Sequence, residues 1–182
     1  MTSSRLTKRA RRRRRAKVRA QRSVDQINKA LGEFLTEMGR VEFTMLLYVD
    51  LINDAPIEHL FEKYSKLTFG PKVGWFKEWV EFAGVPSAKR AIVDRVYQNL
   101  KEIHSKRNFV VHGETWQGAF NGQHRQAYRV GVVKQNLEYL DEFDRGEHGE
   151  NVFSLSEVNQ LTKLCRATVT DLNFLRGQGL PD

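Results

Sequence analysis

Arg107, Asn108 and His112 are the residues of this chain whose types and spacing could do chemistry. An arginine, an amide and an imidazole close together are the parts of a metal-free site for cleaving a phosphodiester. The imidazole serves as general base or acid, the guanidinium stabilises the charge that develops on phosphorus, and the amide orients the imidazole or binds the phosphate. Such chemistry uses the ribose 2′-OH as internal nucleophile, so it cleaves RNA rather than DNA and leaves a 2′,3′-cyclic phosphate and a 5′-OH.

The element that must position these groups is a helix. Val93, Val96, Leu100, Ile103, Arg107 and Val110 recur at steps of three and four, the pattern of one buried stripe. Arg107 therefore falls on a seam that faces protein, where an arginine calls for a partner or a function. Asn108 and His112, four residues apart, lie about 40° from one another around the axis and stack on one face. Pro86, after Gly84, suits a first turn and opens the helix. Gly113 stands where a C′ glycine would stop it, which leaves His112 in the last turn near the negative end of the dipole.

Arg107-Asn108, three residues and His112 resemble the Arg-x4-to-6-His motif of HEPN domains, small helical proteins many of which are ribonucleases. The resemblance covers the motif and its helix, and more loosely the helical layout from about residue 23 onward. It implies a mainly α fold: a HEPN-like bundle of about five helices, a β-hairpin inserted before the last helix, and a basic N-terminal arm. It implies catalytic roles for Arg107, Asn108 and His112, and a homodimer through the motif helices, so that two arginines and two histidines share one cleft. A toxin or anti-phage effector is the setting it suggests, with an antitoxin-like regulatory protein as a further partner.

Upstream, Leu31, Leu35, Met38, Glu42, Met45, Val49 and Ile52 step by four and three from Ser23 to about Asp54, and Glu42 is the polar exception. A lone carboxylate in an apolar seam is costly unless paired. Two readings stand: Glu42 meets Arg107 and holds it from behind, or it reaches water at the rim. His104 could line the same cleft or lie on the surface. A short helix over 57 to 67, a break at Gly70-Pro71 and a third helix with Trp75, Phe76, Trp79 and Phe82 follow; those aromatics at helical spacing read as core. Thr115 to Phe120 and Arg125 to Lys134 alternate around Asn121-Gly122, which predicts a hairpin. Residues 135 to 143 could add a helical turn, and residues 144 to 151 read as a charged loop. The last helix opens on Ser154-Leu155-Ser156-Glu157, a capping-box pattern, and carries Val158, Leu161, Leu164, Cys165, Thr168, Leu172 and Leu175 to Gly177.

The net charge of +8 is concentrated at one end. Residues 1 to 22 carry eleven of the 30 basic residues and none of the 22 acidic ones, so the remaining 160 residues are near −3. The sequence thus divides into a basic arm over 1–22, disordered or a helical extension, and a domain over 23–182. The arm repels itself unless a polyanion meets it, and nucleic acid is the natural counterpart. Arg11, Arg12, Arg13, Arg14 and Arg15, with Lys106 and Trp116 near the motif, are the expected RNA contacts. A solvated tail, or upstream sequence from a misplaced start, are the plain alternatives for the arm.

Other chemistries find no foothold. No apolar run reaches the length of a bilayer span, and the arm lacks the apolar region of a secretory signal, so the expected compartment is the cytoplasm. Cys165 is the single cysteine, which excludes an intramolecular disulfide and a cysteine-rich metal site. No His/Asp/Glu spacing suggests a metal, and no glycine-rich loop suggests a nucleotide; no cofactor is expected. The sequence therefore predicts a metal-independent endoribonuclease. The competing readings are a non-catalytic HEPN-like module that binds RNA or a partner, and a basic-arm nucleic-acid-binding protein.

Overall fold

A computed structural model describes residues 3–53, 57–120, 123–130 and 152–177. The chain is mainly helical. In order it forms α1 (Ser3–Asn53), α2 (Ile57–Ser65), α3 (Phe69–Ala83), α4 (Ser87–His112), β1 (Glu114–Phe120), β2 (Gln123–Val130), β3 (Val152–Ser154) and α5 (Leu155–Leu175). The reading of residues 131 to 151 as a further helical turn and a loop lies outside the described residues. Contacts divide the chain into two compact units, one of residues 1–32 and 108–159, the other of 33–107 and 160–182.

The larger body of helices is the second unit. Phe34, Val41, Met45 and Val49 of α1, Phe76 and Val80 of α3, Val96, Leu100 and Ile103 of α4, and Leu172 and Leu175 of α5 are all shut away from solvent. Burial of side chains this size, at about 1.5–3 kcal/mol each, is the main force holding the helices together. Polar ties add direction. The Tyr64 hydroxyl of α2 donates to the Glu42 carbonyl at 2.6 Å. Arg95 of α4 donates two bonds to Asp171 of α5, at 2.7 and 2.6 Å. Lys89 Nζ reaches the Leu175 carbonyl at 2.9 Å and satisfies an end of α5 that no helical amide can reach.

The buried stripe of α1 differs in register from the expected one. Leu35 is 41% exposed, whereas its neighbour Phe34 is fully buried, and the stripe runs through Ile27, Ala30, Phe34, Met38, Val41, Met45 and Tyr48. Both patterns satisfy steps of three and four, and the larger aromatic wins the interior. The carboxylate that the core encloses is accordingly Glu37, 6% exposed. The Gly70-Pro71 pair does not break the chain but sits in the first turn of α3, behind the N-cap residue Thr68. Proline is tolerated there because first-turn amides have no helical acceptor.

The first unit contains a three-stranded antiparallel sheet of order β1-β2-β3. Glu114 pairs with Val130 and Trp116 with Tyr128, and the register shifts between Gly118 and Phe120. β3, for which the sequence gives no signal, joins through Tyr128 with Ser154 and Val130 with Val152. The capping box forms reciprocally: the Glu157 amide donates to Ser154 Oγ at 3.3 Å and the Ser154 amide to Glu157 Oε2 at 2.7 Å. α1 is one unbroken helix from Ser3, so the basic arm is helical over its described length, with Arg11, Arg12, Arg13, Arg14 and Arg15 all exposed.

Candidate functional site

α4 carries the three motif residues in its last two turns and ends at His112. The expected stripe forms: Val93, Val96, Leu100, Ile103 and Val110 are buried. Arg107, on the same stripe, is half-buried, with its Nε withdrawn from solvent. Asn108 and His112 are exposed, as befits a face turned away from that stripe. The helix ends without a left-handed glycine. Among the described residues the positive-φ glycines are Gly84 and Gly177, while Gly113 donates its amide to the Phe109 carbonyl at 2.9 Å and is followed at once by β1. His112 is therefore placed at the C-terminus of α4, where free carbonyls favour a cation or a hydrogen-bond donor.

The supporting residues have partners of their own. Glu42 is bound by the ammonium of Lys72, both being largely enclosed, with side chains 22% and 12% exposed. It is Lys72, not Arg107, that neutralises this carboxylate in the structure. The same lysine lies 4.6 Å from the centre of the Tyr64 ring. Burial, and then the charge of Glu42, push the Tyr64 phenol well above its ordinary range, so it remains a hydrogen-bond donor at all physiological pH. His104 is exposed and packs against the start of α3: its ring is 6.1 Å from that of Phe69, and its Cε1 would stand 2.6 Å from a Cβ on Gly70. Lys106 bonds Glu102 one turn back at 2.8 Å. Trp116 lies on β1, opposite Tyr128 in the register.

Three features escaped the sequence reading. One is Glu37, whose Oε1 accepts from Arg166 Nε at 3.0 Å, with Arg40 Nη1 3.4 Å away; its signal was a carboxylate one residue before Met38, hidden by the wrong register. Another is a shallow recess of about 70 Å³ lined by Phe76, Val80, Val93, Tyr97 and the charged side chains of Lys77, Glu81, Arg90 and Asp94. The third is the placement of the α3 aromatics. The buried face of α3 is Phe69, Val73, Phe76 and Val80, whereas Trp75 and Trp79 are half-buried on another face and Phe82 is 83% exposed. Only Phe76 of the four aromatics read as core belongs to it.

Among the described residues, no group of three or more His, Cys, Asp or Glu could hold a metal ion. No described helix is long and apolar enough to cross a membrane. Compared with models of protein families, with curated proteins and with solved structures, the chain matches none of them.

Proposed function

We propose that this protein is a metal-independent endoribonuclease of the HEPN type, with Arg107, Asn108 and His112 as its catalytic residues. The observation that carries the reading is the way α4 presents them: an exposed amide and an exposed imidazole one turn apart, preceded by a half-buried arginine on an otherwise apolar stripe. A guanidinium fixed by surrounding protein and two polar groups open to a ligand are what phosphoryl chemistry asks for. The 2′-oxygen of a ribose attacks phosphorus, His112 takes up the hydroxyl proton, and Arg107 stabilises the negative oxygens of the phosphorane. The P–O5′ bond then breaks, a proton passes to O5′, and the products are a cyclic phosphate and a free 5′-OH. Pairing of two motif helices supplies a second histidine, so that one acts as base and the other as acid. The exposed arginines of α1 raise the local concentration of RNA through phosphate contacts.

The test is cleavage of an end-labelled single-stranded RNA in EDTA, with the product ends identified. The full chain should produce cyclic-phosphate ends, and folded Arg107→Ala and His112→Ala variants should lose at least about a hundredfold in rate, the contribution expected of a general acid or base. Equal rates for the three proteins, or none for any with binding intact, would sink the catalytic reading in favour of a binding module.

A further inference from the structure

We propose that the aromatic row on α3, made of Trp75, Trp79 and Phe82, is a platform on which unpaired bases of single-stranded RNA stack. The three residues follow one another at steps of four and three, and so form one line along the helix. That line lies about 120° around α3 from its buried face. Packing of the core therefore does not account for it. Phe82 is the most exposed large apolar side chain among the described residues, at 83%.

The rings touch edge-on. Trp75 and Trp79 are 5.9 Å apart between centres at 70°, Trp79 and Phe82 5.9 Å apart at 84°, and Tyr64 stands 5.3 Å from Trp75 at 49°. An edge-on neighbour covers at most one face of a ring, so such a row keeps flat π surface open. No aliphatic side chain takes part in it, although aliphatic groups serve a protein-docking face equally well. At its Tyr64 end sits the Lys72 ammonium, and the same chain carries eleven cations in residues 1 to 22. One ligand class offers both negative charge along its length and flat faces beside it, namely nucleic acid. It must be single-stranded, because in a duplex the faces are stacked on one another. Stacking of this kind tolerates any base and does not need the 2′-OH.

That the strand is RNA rests on the ribonuclease reading; that it is single-stranded does not. The experiment is tryptophan quenching of the full chain by short oligo(U), by oligo(dT), which the 2′-OH reaction cannot cleave, and by a duplex of equal length. Saturable quenching by both single strands, and little by the duplex, is the expected result. Phe82→Ala keeps both tryptophan reporters and removes only an exposed ring. It should weaken binding at least about fivefold, the lower end of what one stacked base contributes. A Trp116→Phe background assigns the signal to α3.

Quenching that ignores Phe82→Ala, or its absence with binding retained, overturns the platform. So does a variant that changes the hydrodynamic mass and leaves quenching untouched, since the row is then a protein-docking face. Binding and quenching without cleavage would remove the ribonuclease reading and leave the platform standing; cleavage without quenching would do the reverse.

Discussion

Arg166 on α5 donates from Nε to Oε1 of Glu37 on α1 at 3.0 Å, and thereby binds the C-terminal helix to a carboxylate that is 8% exposed at its side chain. Arg40, one turn along α1, approaches the same carboxylate at 3.4 Å. Both arginines are more than half exposed, so the pair is a buried acid served from the surface. Arg166→Ala should lower the unfolding free energy by about 1.5 kcal/mol, the lower end for a hydrogen bond to a charged group, because Arg40 remains. Arg40→Ala, with longer bonds, should cost less than about 1 kcal/mol. Urea unfolding of the two variants checks the order.

Burial of Phe34 beside an exposed Leu35 gives the sharpest test of how α1 is turned. Phe34→Ala should cost about 3–5 kcal/mol, and Leu35→Ala less than about 1 kcal/mol. The opposite order would mean that the stripe read from the sequence, and not the one in the structure, faces inward.

That error of one residue explains how much could be read beforehand. α4 and α5 offer a single run of apolar positions, so Leu100, Ile103, Cys165 and Leu172 were legible as core. α1 offers two adjacent runs, and spacing alone cannot choose between them. Only the packing of a phenylalanine against other helices does. The position of the motif at the end of α4 was legible because glycine and a change of period follow it. The partner of Glu42 was not: a lysine thirty residues on, in another helix, leaves no trace in local periodicity.

Gly70 is required by its neighbour and not by its own backbone. A Cβ there would lie 2.6 Å from Cε1 and 2.8 Å from Nε2 of His104. Gly70→Ala should therefore destabilise the protein by about 1 kcal/mol through displacement of the imidazole. In a His104→Ala background the same change should turn neutral or stabilising, since alanine is the better helix former by about 1 kcal/mol. A double-mutant cycle by thermal unfolding reads the coupling; additive effects would show that the two do not touch.

Cys165 is fully buried, and burial first, then the negative charge of Glu37, push its thiol up to about 12. The folded state thus holds the proton more tightly than the unfolded chain, whose thiol titrates near its ordinary value of about 8.5. The stabilisation is complete below that value and is lost as the pH rises towards 12. A thiol reagent at pH 8 should label Cys165 only after denaturant is added, and alkaline unfolding of Cys165→Ala should lose part of its pH dependence above about pH 9.

The helical form of the arm has a consequence for the salt in which this protein is handled. From Ser3 to residue 22 the helix rises about 30 Å and carries eleven cations, close to one per 3 Å. A nucleic-acid strand carries one phosphate per about 3.4 Å. The free protein is thus itself a polyelectrolyte rod at one end, and it gathers small anions as nucleic acid gathers small cations. Association then sheds ions from both partners. Exchange of chloride for the more weakly held glutamate should tighten binding at constant ionic strength, so the anion of the buffer is a variable of the reaction alongside its concentration.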